Sequence, residues 1–199
     1  ACSSFINEDT KTAKEVKTLE RAVDQLQQEV TRYLVKLFGK HSDETLSSRL
    51  PSLLHSINDL EKISDHADSI AKLTLKRVEN PYTFSPDAQK DLSDIFDASL
   101  TMFDLAKTNI EQPKKETCKA IFQQEDLIDS LKKNAIGNHI ERLKDKSCHP
   151  IAGLAFVAFI NHVEKAADHL VNVTDAVESE FVYDHGAGVT PAVKHKAKA

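Results

Sequence analysis

Apolar residues recur at spacings of three and four along most of this chain. Val16, Leu19, Val23, Leu26, Val30, Leu34 and Leu37 form one stripe, which predicts a helix from about Thr10 to Phe38. The stripe breaks between Gly39 and Asp43, and Ser42 is placed to cap a second helix. That helix carries Leu50, Leu53, Leu54, Ile57, Leu60, Ala67, Ala71 and Leu75 to about Val78, with Pro51 near its start. Ser85-Pro86 reads as a cap followed by a first-turn proline. A third helix then runs to about Ile110 and ends before Pro113. The fourth spans about Lys115 to Leu143, and the fifth runs from Ile151 to about Val182. No stretch alternates with period two, so no strands are predicted.

Two of these helices repeat two others. Ile57-Asn58-Asp59-Leu60-Glu61-Lys62-Ile63-Ser64-Asp65-His66 matches Ile160-Asn161-His162-Val163-Glu164-Lys165-Ala166-Ala167-Asp168-His169, with six identities in ten at an offset of 103 residues. An offset of 105 residues lays Glu20-Arg21-Ala22-Val23-Asp24 on Glu125-Asp126-Leu127-Ile128-Asp129. Nearly equal offsets from separate helices indicate one duplicated supersecondary unit. The chain is therefore expected to be all-α, two fused antiparallel helix bundles. A disordered lead (1–9) would precede a first two-helix repeat (10–80), followed by a second three-helix repeat (86–182) and a disordered tail (183–199). The third helix has no counterpart ahead of the first, so the first repeat lacks its first helix and the chain reads as a piece of something longer.

Composition narrows the classes. Only 5 Gly and 6 Pro interrupt 199 residues, in keeping with long helices. The net charge of −5 lacks the concentrated basic face that a nucleic-acid partner requires. Cys2, Cys118 and Cys148 share no Cys-x-x-Cys spacing, which points to free thiols in the cytoplasm. The longest apolar run, Ile151 to Ile160, is half the roughly 20 residues of a membrane span.

The repeated positions carry the chemistry. On a helix, residues i and i+4 lie about 40° apart, so each Glu-x-x-x-Asp pair shares a face. Glu20 has Val16 at i−4 and Val23 at i+3 and pairs with Asp24; Glu125 has Ile121 and Ile128 at the same spacings and pairs with Asp129. Glu61 and Asp65 share their face with Leu50, Leu54 and Ile57, and Glu164 and Asp168 share theirs with Val157 and Ile160. Burying bare carboxylates is costly unless they are protonated, ion-paired or bound to cations. Two facing helices would converge four carboxylates, an oxygen-rich setting suited to multivalent cations. Asn58, Asp68 and Asn161 lie near enough to the same faces to be secondary metal ligands. Glu141/Asp145 and Glu180/Asp184 share the spacing but lack a repeat partner and an apolar stripe, and read as solvated. His66 and His169 sit about 140° from the glutamates and read as outward or locally bonded. Salt bridging to Lys or Arg is the competing account of the four pairs. A carboxylate-bridged di-iron enzyme would need a His three residues after a Glu, and none is present. No catalytic residue is assigned.

The stretches Ile57 to Ala71 (INDLEKISDHADSIA) and Ile160 to Ala176 (INHVEKAADHLVNVTDA) resemble the PhoU family of phosphate-signalling proteins. That resemblance implies two three-helix bundles and multinuclear metal clusters, iron or zinc. The ligands would be Glu20, Asp24, Glu61 and Asp65 for one cluster, and Glu125, Asp129, Glu164 and Asp168 for the other. Ser64 and Ala167 stand where the family usually has Gly, and both are small enough for close helix approach. Residues 49–61 (RLPSLLHSINDLE) are similar to the cytoplasmic C-terminal domain of bacterial sodium/phosphate cotransporters. This implies a regulatory role in phosphate uptake in a cytoplasmic domain whose parent protein is in the membrane. A stand-alone regulator is the alternative. The partner would be a phosphate transporter, as a membrane region in cis or a subunit in trans, and homo-oligomers stay open.

Overall fold

The computed structural model describes residues 1–39, 44–146 and 148–181. Six helices follow one another: α1 (Cys2–Asn7), α2 (Thr10–Phe38), α3 (Glu44–Glu79), α4 (Pro86–Glu111), α5 (Lys115–Lys144) and α6 (Pro150–Glu178). There are no strands among the described residues. The five long helices stand where the apolar periodicity places them, within a few residues at each end. The Ser42 cap and the 183–199 tail lie outside the described residues.

Local chemistry accounts for the helix starts. The Asp9 side chain accepts from the backbone N–H of Lys11 and Thr12 at 3.0 and 3.1 Å, which caps α2. Ser85 does the same for α4 through Ala88 N–H, with Pro86 in the first turn where its missing N–H costs nothing. Pro51 lies two turns inside α3, not at its start, and there it removes one ladder hydrogen bond.

The connections between α4 and α5 and between α5 and α6 are a few residues long, while the helices run 26 to 30 residues. Three residues span at most about 11 Å and a 26-residue helix about 39 Å. Neighbours that pack side by side through such links must run antiparallel. α4, α5 and α6 pack on one another, α2 packs on α3, and α3 crosses α6 to join the halves. The core lies mostly in the second half and includes Leu92, Ile95 and Met102 of α4, Ile121 and Ile128 of α5, and Phe156, Phe159 and Ile160 of α6.

The expected disordered lead is instead helical. Phe5 is fully buried, stacks on Phe159 at 4.8 Å between ring centroids, and lies in the common core. Arg77 fastens it: its guanidinium donates to the Phe5 carbonyl at 3.0 Å and pairs with Glu8 at 2.7 Å. α1 packs on α3, α2 and α4. At the repeat offset it corresponds to the last turns of α4, so the first repeat does hold the end of its first helix. A single buried aromatic carries no periodicity, which is why residues 1–9 read as a lead.

Candidate metal centre

The first cluster forms where α2 crosses α3. Glu20 and Asp24 from α2 and Asp65 from α3 are half-buried, and one carboxylate oxygen of each lies within 4.8 Å of the others. Among the described residues no other three potential ligands come so close. Asp68 lies one turn beyond Asp65, buried, with Oδ2 ion-paired to Lys72 and Oδ1 without a hydrogen-bond partner. Burial, and then the charges of Asp24, Asp68 and Asp65, push the Glu20 carboxyl above its ordinary value. The site thus holds more negative charge than Lys72 offsets, which favours a proton or a cation.

Glu61 is placed differently from the expectation. Its carboxylate turns to Lys62, whose ammonium stands 3.0 Å from Glu61 and 2.9 Å from Asp65. The second repeat builds the same device, with Lys165 Nζ 2.7 Å from Asp168 and 3.4 Å from Glu164. Both lysines are about half exposed, so their ammonium groups stay in reach of solvent.

The second cluster is not equivalent to the first. Glu164 is buried, and Lys132 from α5 approaches its Oε2 at 3.0 Å, off the hydrogen-bonding direction. The first repeat has Gln27 at the position of Lys132. Glu125 and Asp129 are half-buried on α5, and no three of these four carboxylates converge as tightly as Glu20, Asp24 and Asp65. Of the secondary candidates, Asn58 and Asn161 are exposed and only Asp68 reaches a cluster.

The residues of the first cluster fit a cation on two counts. The donor set is all oxygen, which suits hard multivalent ions, and a buried Asp68 oxygen lacks a partner.

The histidines face each other at the crossing of α3 and α6. His169 Nδ1 lies 2.8 Å from Asp59 Oδ1, and His66 Nδ1 lies 3.1 Å from His162 Nδ1. Asp59 and His162 are repeat equivalents, as are His66 and His169, so these are two copies of one cross-repeat contact. Burial, and then the neighbouring His162, hold His66 at about 4, so it stays neutral at physiological pH. The outward reading of His66 and His169 is corrected: both are half-buried across the junction. The recurrence of a polar residue at 59 and 162, and of His at 66 and 169, was the available signal.

None of the described helices is long and apolar enough to cross a membrane. The PhoU domain model matches residues 1–74 and 92–177, one segment in each repeat. Two proteins from strains of Streptococcus pneumoniae are each 27% identical over 182 residues, covering 88% of this chain and 80% of theirs. Both are called phosphate-specific transport system accessory protein PhoU homolog. Two solved structures share the fold. PhoU from Pseudomonas aeruginosa has a TM-score of 0.81 at 18% identity, with 88% of this chain and 84% of that chain covered. The phosphate transport system regulatory protein PhoU from S. pneumoniae has a TM-score of 0.75 at 22% identity, covering 91% and 86%. With a family model matched over most of its length and a repeat fold to suit, the chain belongs to the PhoU domain family.

Proposed function

We propose that this protein regulates phosphate transport without catalysing a reaction, by docking on a transporter in trans, and that its first carboxylate cluster holds a metal ion. The convergence of Glu20, Asp24 and Asp65 carries the metal half of the reading. The transport half is supported by its relatives, which are named as accessory proteins. Glu20, Asp24 and Asp65 would be ligands, with Asp68 within reach once Lys72 swings out; a bound ion would tie α2 to α3. The second cluster would bind more weakly, because Lys132 already neutralises Glu164. Iron or zinc is the proposed occupant, and the cytoplasm the proposed location.

Elemental analysis of the purified protein after metal loading tests this, paired with phosphate uptake in cells. The parent protein should retain about one metal ion per chain at the first site, and Glu20→Gln/Asp65→Asn should retain none there. Deleting the gene should alter phosphate uptake, with the double variant restoring it only in part. No metal retained under any loading, or uptake indifferent to the deletion, would overturn the corresponding half.

A second reading places the chain in cis, as the cytoplasmic part of a sodium/phosphate cotransporter. Its support is residues 49–61 alone. It requires several apolar spans of about 20 residues encoded upstream.

A further inference from the structure

The second repeat carries a polar cluster that the first repeat lacks, at the end of the bundle where α5 leads into α6. His139, near the end of α5, is 6% exposed, and its Nδ1 meets Cys148 Sγ at 3.8 Å. No nitrogen or oxygen of the described residues hydrogen-bonds to the ring. Burying an imidazole on so long a sulfur contact costs stability. Gly153 adds to that cost, since a glycine in α6 is up to about 1 kcal/mol less favourable than alanine. The glycine is required because a Cβ there would stand 2.7 Å from His139 Cε1 and 3.4 Å from Cys148 Sγ. At the repeat offsets the first repeat has Leu34 for His139 and Leu50 for Gly153. An apolar pair serves packing at these positions, so the polar set needs another account.

The donors suit a tetrahedral zinc ion. Zinc–sulfur and zinc–nitrogen bonds of about 2.3 and 2.1 Å, at the tetrahedral angle, put the two donor atoms about 3.6 Å apart. The observed 3.8 Å between Sγ and Nδ1 is close to that separation. His139, Cys148 and the exposed His149 all line one cavity of about 20 Å³, together with Ala152 and Phe156. A cavity of that size admits one water-sized occupant. Arg142 lines it too, but its guanidinium is engaged with Asp91 at 2.9 Å and lies over the Phe156 ring. Thiolate and imidazole donors set this place apart from the all-oxygen carboxylate clusters.

We propose that His139, Cys148 and His149 form a zinc site that ties the end of α5 to the start of α6. His139 Nδ1 and the Cys148 sulfur are already in place. The exposed imidazole of His149 turns into the cavity it lines as the third donor, and water completes the tetrahedron. The ion binds the thiolate, and the thiol proton passes to solvent. The proposal is independent of whether the carboxylates bind metal, and holds for either reading of the transport role.

Titration of the reduced, metal-free protein with cobalt(II) tests it, because a thiolate ligand gives a near-ultraviolet charge-transfer band that oxygen ligands do not. The band should grow as cobalt is added and collapse when zinc displaces it. Cys148→Ser should abolish the band, and His149→Ala should weaken the cobalt affinity it reports by roughly tenfold or more. Glu20→Gln/Asp65→Asn should leave the band unchanged, which separates this site from the carboxylate cluster. Cys148 is half-buried and His149 exposed, so both variants should fold, and melting curves of the metal-free proteins check that. No band in the parent protein overturns the proposal. So does a band that survives Cys148→Ser, which places the ion on Cys2 or Cys118, or a cobalt affinity that His149→Ala leaves unchanged.

Discussion

Replacing Lys132 by Gln, the residue at the equivalent position of the first repeat, should turn the second carboxylate cluster into a better cation site. Lys132 Nζ lies 3.0 Å from Glu164 Oε2. A divalent ion bound to that oxygen at about 2.1 Å would lie no more than about 5 Å from the ammonium. In a water-like dielectric the repulsion between charges of +2 and +1 at that distance is about 1.6 kcal/mol, and it is larger where burial lowers the dielectric. Removing it should tighten divalent binding at the second site by roughly tenfold or more. The same change leaves buried Glu164 with only Lys165, at 3.4 Å, so the metal-free variant should lose about 1–3 kcal/mol of stability. Saturating metal should restore that loss, because the ion binds only the folded state. Calorimetric titration with a divalent metal, alongside urea unfolding with and without it, measures both effects. If Lys132→Gln leaves the second-site affinity within twofold, Lys132 is not what separates the two clusters.

Three further outcomes follow from packing. Phe5→Ala removes a fully buried ring from the stack with Phe159 and should cost about 3–5 kcal/mol in urea unfolding; a loss below about 1 kcal/mol would exclude α1 from the cooperative core. In Gly153→Ala the new Cβ would stand 2.7 Å from His139 Cε1, and the buried ring is held beside Phe156, so the melting curve should report about 1–3 kcal/mol of destabilisation. An unchanged melt would mean that the ring can move aside. Burial, and then Arg142, keep the His139 pKa below its ordinary value. The neutral ring is therefore the folded form, and its contribution is complete above about pH 6.5 and declines as pH falls through the lowered folded value. His139→Asn should flatten this acid limb of the stability curve, and an identical slope in both proteins would sink the assignment.

The repeat and the long helices were legible because they rest on local rules. Apolar spacing, the Ser85-Pro86 start and the Pro113 stop each act within a turn or two, and the duplicated Glu-x-x-x-Asp pairs survive as a pattern at two offsets. The sequence by itself therefore determined an all-helical, duplicated chain with acidic positions on the inward faces. Which carboxylates meet was decided by how α2 crosses α3. Asp68 stands beside Glu20 while Glu61 turns to Lys62, and Lys132 reaches Glu164 from a helix 32 residues away. The pairing of His66 with His162 across the junction has the same origin, as does the anchoring of α1 by Phe5 and Arg77. Helical periodicity states which side of a helix faces inward, but the partner on the other side depends on crossing angle and side-chain rotamer. Those are properties of the packed bundle, and only the tertiary structure sets them.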